Sequence, residues 1–418
     1  MNIRKLKYKI SFIDLVQWLV LVGLILGRYA EVLAVVVTTF IILINQKYAY
    51  RFTKLILLLT ALLIYSSFLI FFNNYGYSKF FQQYIVISIC ALCYFQFFQF
   101  SKDNLLSLFE KYIQLMYLVC LLGLLQFIIC LFFQVDIFPF QFLYTLDGGI
   151  FPLPEGRIMR IRSILMEAGN LGTCLVPVIA YILFDKNYFK ENKRKAVIII
   201  TTYLLTLATI SYVMLAILLF VKIYTKLKYI KYILSVLIII CIPYIISSMN
   251  SRLDESEITN SDFFSVMQQK IVQTLSIWDT SSPSDFELLN ASSYAIATNL
   301  WVAMNSPGRV LGTGLGTHQE NYTQAYPPNN YYLYGLNSDD AYSLLIRIFS
   351  EFGIFGIILY FFFLKRNFNS SNIVNYSIFF LLIAMLIRGG NYIFYGTVMF
   401  HYLYYYTSKK QYSRKNEQ

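Results

Sequence analysis

What most restricts the fold of this chain is its succession of apolar runs, each long enough to cross a bilayer at roughly 20 residues per helical span. Of its 418 residues, 58% are hydrophobic and 13% charged, which is the balance of a polytopic membrane protein rather than of a soluble domain. The fold expected is all-α. About twelve transmembrane helices are read at roughly 11–27, 30–45, 54–72, 82–100, 112–133, 166–184, 196–209, 211–224, 233–249, 342–364, 373–387 and 392–407, each bounded by polar or charged residues. Residues 1–418 then form a single integral membrane domain. Arg4, Lys5, Lys7 and Lys9 precede the first run and no small-residue cleavage site follows it, so that run reads as a retained span.

An even number of spans puts both termini on one side, and the short lysine-rich connections then fall together on that side. By the positive-inside rule this is the cytoplasmic face of the membrane, with both termini inside. The hardest boundary is the unbroken apolar run 196–221. Two spans are preferred there, because one long span would put the lysines of 186–195 and 222–231 on opposite faces. Two outer segments are long enough to carry chemistry: an outer loop at 134–165, and a large extracytoplasmic loop at 250–341, before the tenth helix. The larger contains an apolar stripe, Phe264, Met267, Ile271, Leu275 and Trp278, at helical spacing, and a second short helix from about Ser292 to Met304.

The outer connections carry eight arginines and two lysines, against five arginines and nineteen lysines inside. Topology bias treats the two residues alike, so this preference needs another cause. Arginine presents a fixed, always-charged fork that matches phosphate oxygens in pairs, whereas lysine is a mobile point charge. The preference therefore points to a phosphate-bearing, lipid-linked substrate handled on the outer face. All six cysteines (Cys90, Cys93, Cys120, Cys130, Cys174 and Cys241) sit in apolar runs, as small hydrophobes rather than disulfide partners or metal ligands. No metal, cofactor or nucleic acid is expected.

Four outer stretches are candidates for the chemistry. Arg157, Arg160 and Arg162 lead into Ser163 and Glu167 at the start of the sixth span; in an extended strand Arg160 and Arg162 would point the same way, as two forks on one diphosphate. An acid such as Glu167 at the head of an apolar span is costly unless paired or functional, and orienting an arginine is its expected task. Gly312, Gly314 and Gly316, followed by His318, superficially resemble a nucleotide-binding loop. The strand, helix and later acidic residue of that motif are absent, so the glycines are read as allowing a close turn over a ligand or a helix end. His318 would be able to take a proton from a sugar hydroxyl near neutral pH. Asn337, Asp339 and Asp340 precede the tenth span. Within that span Arg347 and Glu351 are four apart, which suits a salt bridge on one helix face as well as contact with an entering headgroup. Arg388, Gly389, Gly390 and Asn391 form the last outer turn, where the glycines permit close backbone approach.

Taken in order, these stretches resemble the bacterial O-antigen and capsular polysaccharide polymerase family, with the O-antigen ligases as relatives. The resemblance rests on Ser163 to Gly172 with Glu167, Asn305 to Gly316 with Pro307, Asp339 to Gly356, and Arg388 to Tyr392. It implies polymerisation of undecaprenyl-diphosphate-linked oligosaccharide repeats into surface polysaccharide by metal-independent, inverting glycosyl transfer, working beside a flippase and a chain-length regulator. Substrate contacts would come from Arg157, Arg160, Arg162, Glu167, Asn337, Asp339, Arg347, Glu351, Arg388 and Asn391, with Asp340 or His318 as the base. The chain departs from the family at Tyr212, where an arginine often follows the serine, and at 337–340, where ligases tend to carry a histidine. Both departures favour polymerase over ligase-type transfer to another acceptor. A polysaccharide or lipid-linked oligosaccharide transporter is the alternative from another class, but it should carry charges near the bilayer midplane and show related halves, and neither is evident.

Overall fold

The structure, a computed structural model, describes residues 11–46, 52–133, 137–138, 160–226, 283–289, 291–393 and 395–408. Its regular elements are α1 (Phe12–Ile25), α2 (Arg28–Gln46), α3 (Thr53–Phe72), α4 (Ser78–Ser101), α5 (Leu105–Phe133), α6 (Ala168–Phe184), α7 (Tyr188–Glu191), α8 (Lys193–Leu205), α9 (Thr209–Lys226), α10 (Ala291–Asn305), α11 (His318–Ala325), α12 (Leu344–Asn367), α13 (Ile373–Ile387) and α14 (Thr397–Ser408), with no strand among the described residues. Each expected apolar run that falls within the described residues forms a helix; the run at 233–249 and the stripe from Phe264 to Trp278 lie outside them. The stretches Thr53–Phe72, Ser78–Phe133 and Leu344–Asn367 are long and apolar enough to cross a membrane, and five shorter apolar helices accompany them. The long run divides as expected, but a few residues earlier: α8 ends at Leu205, and the chain turns through Thr206, Leu207 and Ala208, with Leu207 at φ 48°.

Sequence decides which helices lie inside. In α6 nearly every side chain from Ala168 to Ile182 is buried, as befits a helix apolar on all faces, and it packs against α13, α9, α8 and α5. Gly172 permits one of these contacts: a Cβ there would lie 2.1 Å from the Ser211 hydroxyl on α9. In α3 only Leu59, Ser66, Leu69 and Ile70 are buried, while Leu57, Leu58, Ile64, Phe68, Phe71 and Phe72 face outward. So large an apolar exterior suits hydrocarbon and would be a liability in water.

Polar ties fix the helix ends. Ser11 and Asp14 form a reciprocal capping box at the start of α1. Beside it the Lys111 ammonium donates to Asp14 at 2.5 Å, Gln17 at 2.6 Å and Ser107 at 3.0 Å, which uses all three of its protons. Ser343 caps α12 by accepting from the Ile346 N–H, and its own hydroxyl donates to the Leu386 carbonyl at 2.8 Å, tying the start of α12 to the end of α13.

The helix α12 is broken at Gly353, with φ 63° and ψ −163°, a region open almost only to glycine. Residues 309–314 fill the break. Ile354 N–H donates to the Arg309 carbonyl, Phe355 N–H to Val310, and Gly314 N–H to the Glu351 carbonyl. The approach is backbone to backbone: a Cβ on Gly353 would sit 2.3 Å from the Val310 oxygen, and one on Gly312 2.2 Å from the Glu351 oxygen. The glycine loop thus turns closely over a helix break.

Candidate functional site

Above α6 and between α4, α12 and the 388–397 turn lies a cavity of about 450 Å³. That volume accommodates a drug-sized ligand. Its walls bring together Glu167, Asn337, Asp339, Asp340, Arg347, Arg388 and Asn391, all singled out from sequence although they come from three separate stretches.

Arg347 is 3% exposed and fixed on every side. Its Nε donates to Glu351 at 3.1 Å, Nη1 to the Gly390 carbonyl at 2.9 Å and Nη2 to Gln83 at 2.7 Å, while the Tyr392 ring lies 4.2 Å beneath the guanidinium. Three of its five N–H donors are therefore committed. Glu351 is fully buried, with Oε1 on Arg347 and Oε2 accepting from the Tyr392 hydroxyl at 2.8 Å. The expectation that Glu351 touches substrate is corrected here: both its oxygens are occupied behind the wall, and it positions Arg347.

Arg388 donates through Nη2 to Glu167 at 2.6 Å, so the acid at the head of the sixth apolar run does meet an arginine. Arg388 also lies over the Tyr342 ring at 5.2 Å and flush against Gly169, where a Cβ would come within 2.6 Å of Cζ. Gly390 is pressed onto the Asp340 carbonyl, 1.6 Å from where a Cβ would stand, and Gly389 N–H donates to the Tyr342 carbonyl. Gly390 makes room for the chain's own backbone, whereas Gly389 supplies a φ of 130° that other residues rarely adopt.

Asp340 stands on strained backbone, since Asn337, Ala341 and Tyr342 all have φ near +60° without being glycine. The strain is held by Ala341 N–H on the Asn337 carbonyl and by Gly389 on Tyr342. Asp340 Oδ1 accepts from the Asn337 amide at 3.0 Å and from Tyr342 N–H at 3.2 Å, and Oδ2 makes no hydrogen bond among the described residues. Burial pushes the Asp340 carboxyl above its ordinary value, against the opposing pull of Arg347.

Other expectations do not reach the cavity. His318 is fully buried and lines none of it. Asn299 commits its amide N–H groups to the Ala295 and Leu336 carbonyls, so its oxygen must accept from His318 Nε2 at 2.8 Å. Nδ1 then accepts from the Ser350 hydroxyl at 2.8 Å, whose oxygen accepts from Asn321 at 2.9 Å. Burial, reinforced by Arg347, lowers this imidazole to about 3. The expectation of His318 as base is therefore corrected: both nitrogens are satisfied within the protein, and the ring locks α10 and α11 to α12.

Arg160 and Arg162 do not act as a paired fork on the cavity. Arg162 donates to the Phe138 carbonyl at 3.1 Å, and Ile161 N–H donates to the Leu205 carbonyl, which holds this segment over the end of α8. Arg160 is exposed, within electrostatic reach of Arg388 and Glu167. Arg157 lies outside the described residues. Conversely, sequence reasoning passed over Lys79, Gln82, Gln83, Tyr29 and Tyr395, which line the cavity. The Gln82–Gln83 pair carried a usable signal, two amides at the head of an apolar run, the argument applied to Glu167.

The arrangement offers two fixed guanidinium groups, a lysine and three carboxylates, Glu167, Asp339 and Asp340, around a common space. That is a set for gripping an anionic group beside a hydroxyl that loses its proton. No family model, curated protein or solved structure matches the chain.

Proposed function

We propose that this chain is a membrane glycosyltransferase that polymerises undecaprenyl-diphosphate-linked oligosaccharides into surface polysaccharide. It works from the outer face of a bacterial cytoplasmic membrane with twelve spans and both termini inside. The observation that carries this reading is the convergence of Arg347, Arg388 and Asp340 on one cavity. Its walls also draw on Tyr29, Lys79, Glu167, Asp340 and Arg388, each from a connection that the lysine distribution assigns to the outer side, or from a helix end beside one.

In the reaction, a hydroxyl of the acceptor sugar attacks the anomeric carbon of the donor. The new carbon–oxygen bond forms as the bond to the diphosphate breaks, and the bonding pair leaves with the phosphate oxygen. Asp340 takes the hydroxyl proton, and its burial makes it a better base than an ordinary carboxylate. Arg347 and Arg388 stabilise the charge that grows on the departing diphosphate, and their fixed positions avoid reorganisation at that moment. Deletion of the gene, followed by gel analysis of surface glycan, tests the reading. Loss of the polymer ladder with single repeats still assembled on their carrier is the expected result, and unchanged polymer length would refute it.

A further inference from the structure

Each cation of the cavity, Arg347, Arg388 and Lys79, meets a carboxylate, and the couples differ in how firmly they are made. Arg347 and Glu351 are 3% and 0% exposed, and both Glu351 oxygens are engaged. Arg388 and Glu167 are 18% and 50% exposed, and one Glu167 oxygen binds one Arg388 nitrogen while the other makes no hydrogen bond among the described residues. Lys79 and Asp339 repeat the looser pattern on another wall, 3.3 Å apart and well exposed.

We propose that Glu167 is an internal stand-in for a phosphate oxygen on Arg388, displaced when the anionic headgroup binds, rather than the residue that orients that arginine. The proposal rests on the anion-binding role assigned to the cavity above. Two observations favour displacement. Arg388 needs no carboxylate to stay in place, since the Tyr342 ring lies over its guanidinium and Gly169 lies flush against it. Glu167 is also uncommitted elsewhere: it stands at the N-cap of α6, yet its side chain makes no capping bond. A phosphate brings two oxygens to a fork of which Glu167 uses one nitrogen, so exchange increases the number of charge-assisted bonds. Once displaced, the Glu167 carboxylate is an acceptor beside the bound phosphate. The site therefore favours an anion flanked by hydroxyl-rich sugar over a bare phosphate.

Binding of inorganic diphosphate to the purified, detergent-solubilised protein tests this, with wild type, Glu167→Gln, Arg388→Ala and the double variant compared by calorimetry. Each is first checked for the wild-type elution volume and melting behaviour. The proposal expects Glu167→Gln to bind about two- to fivefold more tightly than wild type, the scale of a partly exposed ion pair removed as a competitor. It expects that gain to vanish in the Arg388→Ala background. Equal or weaker binding by Glu167→Gln, with Arg388→Ala also weakened, overturns the stand-in and makes Glu167 an orienting residue. A gain that persists without Arg388 overturns it as well, by reducing it to general charge removal. Wild-type protein that does not bind diphosphate, or that binds it as Arg388→Ala does, overturns instead the anion site on which the proposal rests.

Discussion

Acidification from pH 8 to pH 5 should cost the folded protein about 2 kcal/mol through His318 alone. The imidazole is held near about 3 in the fold, against 6.5 in the unfolded chain. Between those values the unfolded chain binds the extra proton, so the stability contributed by neutral His318 is complete above 6.5 and is lost as pH falls toward 3. Integrated to pH 5, the difference is about 2 kcal/mol, and at still lower pH it tends toward roughly 5 kcal/mol. The structural reason is that a second ring proton would face the Ser350 hydroxyl, which would have to stop donating to Nδ1, inside a network closed by Asn299 and Asn321. The assay is unfolding in mixed micelles at pH 8, 7, 6 and 5 for wild type and His318→Gln. The variant is less stable at pH 8 because the network is incomplete, yet it should lose about 2 kcal/mol less than wild type on going to pH 5. Comparing the two chains cancels the other titrating groups. Parallel pH profiles would refute the argument and show that His318 is protonated in the fold without penalty.

Three more outcomes separate the cavity from its surroundings. Arg388→Lys should lower polymer formation about tenfold or more, because a point charge cannot reproduce a fixed fork, whereas Arg160→Lys should stay close to wild type; equal loss in both would remove the distinction drawn from the cavity walls. Asp340→Asn should abolish activity, and the wild-type rate should fall with acid at a midpoint above the ordinary carboxyl value of 3.8, a limb to be sought in rate measurements across pH and read against the unfolding curve. Gly353→Ala should cost about 1–3 kcal/mol from backbone conformation alone, with more from the clash against Val310, and should reduce both melting temperature and activity; an unperturbed melt would show that the break does not require glycine.

Sequence carried the helices well, since apolar runs bounded by charge leave little choice of element or extent, and a break does fall within 196–221, at Thr206 to Ala208. The gathering of Glu167, Asp340, Arg347 and Arg388 could be anticipated only as a shared side of the membrane, because proximity across more than two hundred residues is set by helix packing. His318 misled for a physical reason. A histidine in a polar, glycine-rich segment reads as exposed, and nothing local reveals that Asn299, Ser350 and Asn321 will close around it. The arginine bias was legible in kind but not in position: Arg347 and Arg388 line the cavity, whereas Arg160 and Arg162 do not.

The break at Gly353 divides α12 into two pieces under different constraints. The piece from Leu344 to Phe352 carries Arg347, Ser350 and Glu351, and is anchored sideways by the Ser343–Leu386 tie, the His318 network and the inserted 309–314 backbone. The piece beyond it presents Ile354, Phe355, Ile358, Leu359, Phe361 and Phe362 outward and carries none of the cavity's charges. Ile354 and Phe355 donate to the Arg309 and Val310 carbonyls while Gly314 donates to Glu351, so the same inserted backbone is bonded to both pieces and the break is a clamped joint rather than a free hinge. One helix thus meets apolar surroundings along one piece and the charged cavity along the other, with its direction changed between them by a glycine that the 309–314 backbone holds in place.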